Sequence, residues 1–295
     1  MCGIVGLFLK QDDLRPRLGD MLTDMLITMT DRGPDSAGIA IYGEAFEGLK
    51  MTVQSDRPET AFDGLDIALG EALGVPVTME VIDTHAVLAL PDEAEAPARA
   101  FMAERGIRVM GVGHAMEIFK EVGLPREVAA RFGIRAMGGS HGIGHTRMAT
   151  ESAVTTLGAH PFSTGDDQCL VHNGSLSNHN QMRRVLTQKG FAPQTENDTE
   201  VAACYISSRL AEGANLGEAL EGTLADLDGF FTFVVGTRNG FGVVRDPIAC
   251  KPAVLAETDD YVAFGSEYRA FANLPGIENA RVWEPEPATV YFWER

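Results

Sequence analysis

The chain opens Met1-Cys2-Gly3-Ile4-Val5-Gly6-Leu7-Phe8-Leu9, and this stretch decides how the rest is read. Residues 2–9 carry the apolar pattern of a strand that starts almost at the first residue. Methionine is normally trimmed when a small residue follows, so Cys2 is expected to become the N-terminus. One residue then supplies a thiol nucleophile and a free α-amine. That amine has an ordinary pKa near ~7.7–8.0 and can take a proton at neutral pH without a separate histidine base. Taken alone, the cysteine favours the bland reading of an incidental residue at a frayed terminus.

Outward from this strand, Leu18, Met21, Leu22, Met25, Leu26 and Met29 recur at helical spacing. They predict an amphipathic helix that ends near Arg32-Gly33-Pro34, with the methionines as core filler. A strand over 37–42 follows. Residues 44–138 read as an inserted α/β segment, with strands over 81–90 and 107–112, helical patterns near 97–105 and 114–132, and acidic loops. Beyond it, strands are expected at 141–147 and 167–172, helices at 177–189, 198–211 and 215–227, and short strands at 230–235, 242–245, 253–255, 261–264 and 289–292. Strands at both ends with helices between them indicate a layered α+β domain over 2–295.

The bulk numbers narrow the function. A formal net charge of −18 repels phosphate backbones and anionic headgroups, which argues against nucleic-acid or membrane binding. No apolar run approaches the ~20 residues of a bilayer span, and the start lacks a signal-peptide pattern. A cytoplasmic protein is expected. Cys2, Cys169, Cys204 and Cys250 are scattered, so neither a disulfide framework nor a zinc ribbon is indicated. His85, His114, His141 and His179 lack ligand-like spacing, and no metal site is expected.

Five short motifs follow Cys2 in order: Arg32-Gly33-Pro34-Asp35-Ser36, Gly144-His145-Thr146-Arg147, His160-Pro161, His172-Asn173-Gly174 and Asn197-Asp198-Thr199-Glu200. Together with Met1–Gly6 this ordered set resembles the class II glutamine amidotransferases, the glutaminase domains of amidophosphoribosyltransferase, glucosamine-6-phosphate synthase, asparagine synthetase and glutamate synthase. The matches cover the two ends of the chain and leave the insertion uncovered. The resemblance implies the four-layer αββα sandwich of N-terminal-nucleophile hydrolases, carrying the α/β insertion, and it implies hydrolysis of glutamine to glutamate and ammonia.

On that reading Cys2 is the nucleophile. The Asn173 side-chain amide and the Gly174 backbone N–H receive the tetrahedral oxyanion, a donor of this kind lowering the barrier by ~3–4 kcal/mol. As a bare dipeptide, Asn-Gly is also the commonest hairpin-turn signal. Arg147 suits the substrate α-carboxylate, because its planar guanidinium offers two parallel charge-assisted bonds. Asp198 is implied as the partner of the α-ammonium, although it equally fits a helix N-cap. Arg32 counts with the binding residues, its expected task being to hold the Cys2 region, and the resemblance adds Thr150 and His160. Met148 and Glu151 depart from the family, where tryptophan and histidine are common, which bears on how the glutamine pocket closes.

Residues 138–152 are most similar to a group of stand-alone chains, the amidotransferase subunit of N-methylglutamate synthase and the related GlxB-like proteins. That resemblance implies a split glutamate-synthase-like complex, with FMN in a synthase subunit, a further β-helical subunit, and no cofactor in this chain. The insertion is then a docking surface or a lid. Two other readings stay open: a catalytically silent glutamine-sensing subunit, and an N-terminal-nucleophile hydrolase acting on other amides.

Overall fold

In a computed structural model, which describes residues 2–149 and 153–295, the opening strand spans Gly3–Leu9 (β1). The strands that follow in chain order are Ser36–Tyr42 (β2), Leu49–Gln54 (β3), Thr78–Ile82 (β4), His85–Leu90 (β5), Arg108–Gly113 (β6), Met116–Val122 (β7) and His141–Arg147 (β8). The second half adds Phe162–Gly165 (β9), Gln168–Leu176 (β10), Gly229–Thr237 (β11), Gly240–Arg245 (β12), Val254–Glu257 (β13), Tyr261–Gly265 (β14), Arg281–Trp283 (β15) and Val290–Glu294 (β16). The α-helices are Leu18–Thr28 (α1), Pro58–Ala61 (α2), Leu65–Leu73 (α3), Glu95–Glu104 (α4), Pro125–Arg131 (α5), His179–Gln188 (α6), Asp198–Ala211 (α7) and Leu216–Asp226 (α8).

Two antiparallel sheets stack face to face. One runs β15-β13-β14-β1-β8-β2-β7 and the other β16-β12-β11-β10-β9. Alternation along β1 sends Ile4 and Phe8 to one face and Val5, Leu7 and Leu9 to the other. Ile4 and Phe8 pack with Tyr42, Ile143, Val171, Val234 and Phe241 in the layer between the sheets. Val5, Leu7 and Leu9 pack against Leu22, Met25 and Leu26 of α1 and Val128 of α5. The outer face of the second sheet, with Leu170, Phe233 and Val244, is covered by α7 and α8 through Val201, Ile206 and Leu220. The fold is therefore an α+β sandwich layered helix, sheet, sheet, helix. β1 is central and buried on both faces, so its end is held from above and below.

The insertion divides in space. β4-β5-β3-β6 form a separate four-stranded sheet with its own core of Met51, Val53, Leu69, Leu88 and Phe101. The strand expected over 81–90 is instead a hairpin, β4 and β5, turning at Asp83, which holds φ 56°. The helix expected over 114–132 is strand β7 followed by the short helix α5. Both faces of β7 are largely buried, so its apolar residues mimic helical spacing. Gly123 at φ 133° and Pro125 at the first helical turn then separate the two elements. β7 pairs with β2 along seven residues and is the edge strand of the larger sheet. The strands over 49–54, 162–165 and 281–283 and the helix over 65–73 carried no sequence expectation.

Candidate active site

The register of the sheets gathers motifs from Cys2 to Asp198 at one edge of the sandwich. β8 lies between β1 and β2, pairing Thr146 with Gly3 and Arg147 with Ser36. β10, in the facing sheet, delivers Asn173 and Gly174, and α7 starts beside it at Asp198. Their side chains line a cleft of about 790 Å³ together with Cys2, Arg147, His160 and Lys251.

Cys2 is half-buried at the start of β1, and its carbonyl oxygen is gripped twice. Arg32 Nε donates to it at 3.0 Å and Asn173 Nδ2 at 3.3 Å. Arg32 is itself buried and pairs through Nη1 with Glu267 Oε1 at 2.5 Å. The guanidinium thus fixes the first residues of β1 to the chain's C-terminal third. Glu267, which anchors it and also meets Arg269 Nε at 2.7 Å, carried no signal in the sequence.

Asn173 is buried, with its amide turned toward Cys2. Gly174 holds φ 152°, and a Cβ there would lie 2.0 Å from the Phe230 carbonyl oxygen and 2.7 Å from His172 Nε2. Only glycine keeps this backbone in place beside the cleft. Asn173 and Gly174 sit inside a β ladder paired with Thr232 and Phe231, so the dipeptide is not a hairpin turn.

Arg147 ends β8 buried, with Nη1 3.3 Å from the Ala153 carbonyl oxygen. A Cβ added at Gly158 would stand 3.5 Å from the same Nη1, so the backbone of the 153–161 segment flanks the guanidinium. Asp35 of the first motif accepts the Ala149 N–H at 2.8 Å, which ties down the turn after Arg147. Met148 lines the cleft and is 37% exposed at its rim. Thr150 and Glu151 fall outside the described residues.

The helix N-cap considered for Asp198 belongs to Asn197, whose Oδ1 accepts the Thr199 N–H at 2.9 Å. Asp198 is the first helical residue, and its carboxylate is left to accept the Leu176 N–H at 2.9 Å. Burial raises the Asp198 pKa, but the His172 ring, the Leu176 N–H and His179 outweigh it and hold the group below the ordinary carboxylate value. It is an anion wherever the protein is folded near neutrality.

Behind the cleft lies a buried histidine cluster of which only His160 was expected among the binding residues, while His145 and His172 carried no expected task. His145 and His160 stack at 4.0 Å. The Thr199 hydroxyl lies 3.1 Å from His172 Nδ1 and 3.4 Å from His160 Nε2, and His145 Nε2 contacts the His172 carbonyl oxygen at 3.1 Å. Burial pushes His145 down to about 3 and His160 well below its usual value, so both are neutral. His160 therefore lies at the cleft floor, joined to Thr199, with a ring that carries no charge. Its place in the His160-Pro161 motif gave no hint of that stacking.

A cysteine lining the same cleft as an amide donor, a buried guanidinium and a carboxylate has the groups needed to attack a carbonyl carbon and to hold charges around it. Arg147 and Asp198 line this cleft with opposite charges. Among the described residues no group of three His, Cys, Asp or Glu side chains is arranged to hold a metal ion.

Comparison with known proteins gives the family. The model of the glutamine amidotransferase domain matches residues 145–273. Over the whole chain the sequence is 68% identical to the glutamine amidotransferase-like protein GlxB of Rhizobium meliloti (strain 1021), covering 98% of that relative. It is 33% identical to a putative glutamine amidotransferase of Methanothermobacter thermautotrophicus, again over the full length of both. Among solved structures, the glutamine phosphoribosylpyrophosphate amidotransferase of B. subtilis superposes with a TM-score of 0.64 at 19% identity, over 99% of this chain and 47% of that one. That likeness shows the fold. With a nearly full-length relative at 68% identity, the chain belongs to the glutamine amidotransferase family, alongside the GlxB-like proteins.

Proposed function

We propose that this chain hydrolyses the side-chain amide of glutamine, with Cys2 as nucleophile after removal of Met1. The thiol adds to the amide carbon while its proton passes to the α-amine of the same residue. The oxyanion rests on Asn173 Nδ2 and the Gly174 N–H. Collapse breaks the C–N bond, the amine returns the proton, and ammonia leaves. Water then cleaves the thioester to release glutamate and restore the thiol. Arg147 takes the α-carboxylate and Asp198 the α-ammonium, so binding fixes which carbonyl reaches Cys2.

One observation carries this reading: the Cys2 backbone is held by Arg32 and Asn173 at 3.0 and 3.3 Å at the mouth of a cleft with a buried cation and a carboxylate along its walls. A silent sensor would require Arg147 and Asp198 but not a cysteine held by its backbone in the same cleft. Intact-mass measurement should show loss of Met1, and Cys2→Ala should abolish ammonia release from glutamine. Ammonia release by the alanine variant at the wild-type rate would refute the mechanism.

We further propose that the chain is a cytoplasmic subunit of a split glutamate-synthase-like complex such as N-methylglutamate synthase. FMN would be held by a synthase subunit and a β-helical subunit would complete the assembly. The similarity to GlxB-like chains over their full length supports this, because ammonia made here needs an acceptor site. The four-stranded sheet of residues 49–113 is the surface proposed to dock these partners. Deleting residues 49–113, which leaves β7 in the larger sheet, should abolish co-purification with them.

A further inference from the structure

The cleft wall that flanks Arg147 is held in an unusual way. Lys120, on β7, is buried, and its ammonium donates to the carbonyl oxygens of Ala159 at 2.8 Å, Pro161 at 3.1 Å and Leu157 at 3.5 Å. It also stands 4.5 Å over the Phe162 ring. The next residue, Glu121, points to the opposite face of the strand, where Oε1 accepts the buried Thr156 hydroxyl. Two successive side chains of one strand therefore grip the span 156–161 from both sides. Opposite Lys120 on β2 stands Gly38, where an added Cβ would lie 2.0 Å from the His160 carbonyl oxygen. The wall is pressed onto the sheet at the place where a side chain is missing.

The same span meets the cleft at two places. Gly158 lies against the Arg147 guanidinium, and His160 reaches the Thr199 hydroxyl and accepts the His172 N–H at 3.4 Å through Nδ1. Moving the span displaces the carboxylate clamp and the support of Asp198 together. Burying an ammonium costs several kcal/mol, and here burial lowers the Lys120 pKa to about 7, with Glu200 opposing. An apolar side chain would fill the space at less cost but would leave three carbonyls without donors.

From this geometry we infer that Lys120 and Glu121 are positioning residues for the glutamine site, clamping the 156–161 wall to the strand that leaves the insertion. Glu121 Oε2 also accepts the hydroxyl of Thr84 at 3.0 Å, in the turn between β4 and β5. The insertion thereby reaches the cleft wall through one carboxylate. The inference rests on the glutaminase reading for the identity of the ligand, and it requires no contact between the clamp and substrate.

The test uses the purified mature chain and the alkylation of Cys2 by iodoacetamide, read on the N-terminal peptide so that exposed Cys250 does not interfere. Glutamine should protect wild-type Cys2. Lys120→Met should raise the glutamine concentration for half-protection about tenfold or more, the worth of one buried charge-assisted hydrogen bond. Its alkylation rate without glutamine should stay at the wild-type value, since Arg32 and Asn173 hold Cys2 independently. Thr156→Val, which removes one hydroxyl and keeps the shape, should raise it about threefold or more, and it decides the matter if Lys120→Met does not fold. Folded variants protected at the wild-type glutamine concentration would overturn the clamp alone. Absence of protection in the wild type would overturn the glutamine reading itself, and the clamp's role with it.

Discussion

Acid should destabilise this protein steeply, and the buried histidines set the amount. Burial holds His85, His141 and His145 down to about 3 and pushes His160 in the same direction. In the unfolded chain a histidine titrates near ~6.5. Between those values the unfolded chain binds protons that the native state refuses, so stability falls as pH falls through that window. Going from about pH 7.5 to about pH 5 crosses roughly 1.5 units of it, worth ~2 kcal/mol for each of the three histidines. Together they remove ~6 kcal/mol, which equals the whole stability of many domains at ~5–15 kcal/mol. His160 adds to the loss. Asp198, held below the ordinary carboxylate value, contributes in the same direction only at lower pH. Urea unfolding followed by tryptophan fluorescence at the two pH values measures the difference. His145→Asn should flatten the dependence by about a third of the three-histidine effect. An unchanged urea midpoint at about pH 5 would refute the reasoning, since it requires these rings to be neutral and inaccessible in the native state.

Other perturbations separate the parts of the site. Gly174→Ala places a Cβ against the Phe230 carbonyl oxygen and should cut ammonia release by ~10²-fold or more by displacing the oxyanion donor, while Cys2 stays open to iodoacetamide. Asp198→Asn removes the anion proposed for the α-ammonium, so KM for glutamine should rise by ~10-fold or more with a smaller change in kcat. Asp167 is buried and accepts the N–H groups of His114, Ala115 and Met116 at 2.9 Å each. Asp167→Ala should therefore cost ~3 kcal/mol or more in urea unfolding, without altering glutamine protection of Cys2 in the protein that remains folded.

Much of the site was legible in the order of its motifs, because the chemistry demands particular side chains. An amide beside a glycine, a guanidinium and a carboxylate are recognisable as residue types wherever they fall. What the motifs left open was their company. Lys120 and Glu121 looked like polar residues in an apparent helix, because a strand buried on both faces lacks the alternation that marks a half-exposed one. His160 and Thr199 lay within recognisable motifs, yet nothing local predicts that their side chains meet across 39 positions.

By itself the sequence determined the opening strand with Cys2 at its head, the methionine-rich helix behind it, and the residues proposed to attack an amide and hold its charges. These are local properties, set by side-chain chemistry and by the period of apolar residues. Only the tertiary structure decided that β7 returns from the insertion to the edge of the larger sheet, that Asn197 rather than Asp198 caps α7, and that Lys120 carries the cleft wall. Those outcomes depend on strand pairing and burial between distant segments. The free energy of such contacts is settled by which surfaces leave water together, a quantity that no short stretch of chain contains.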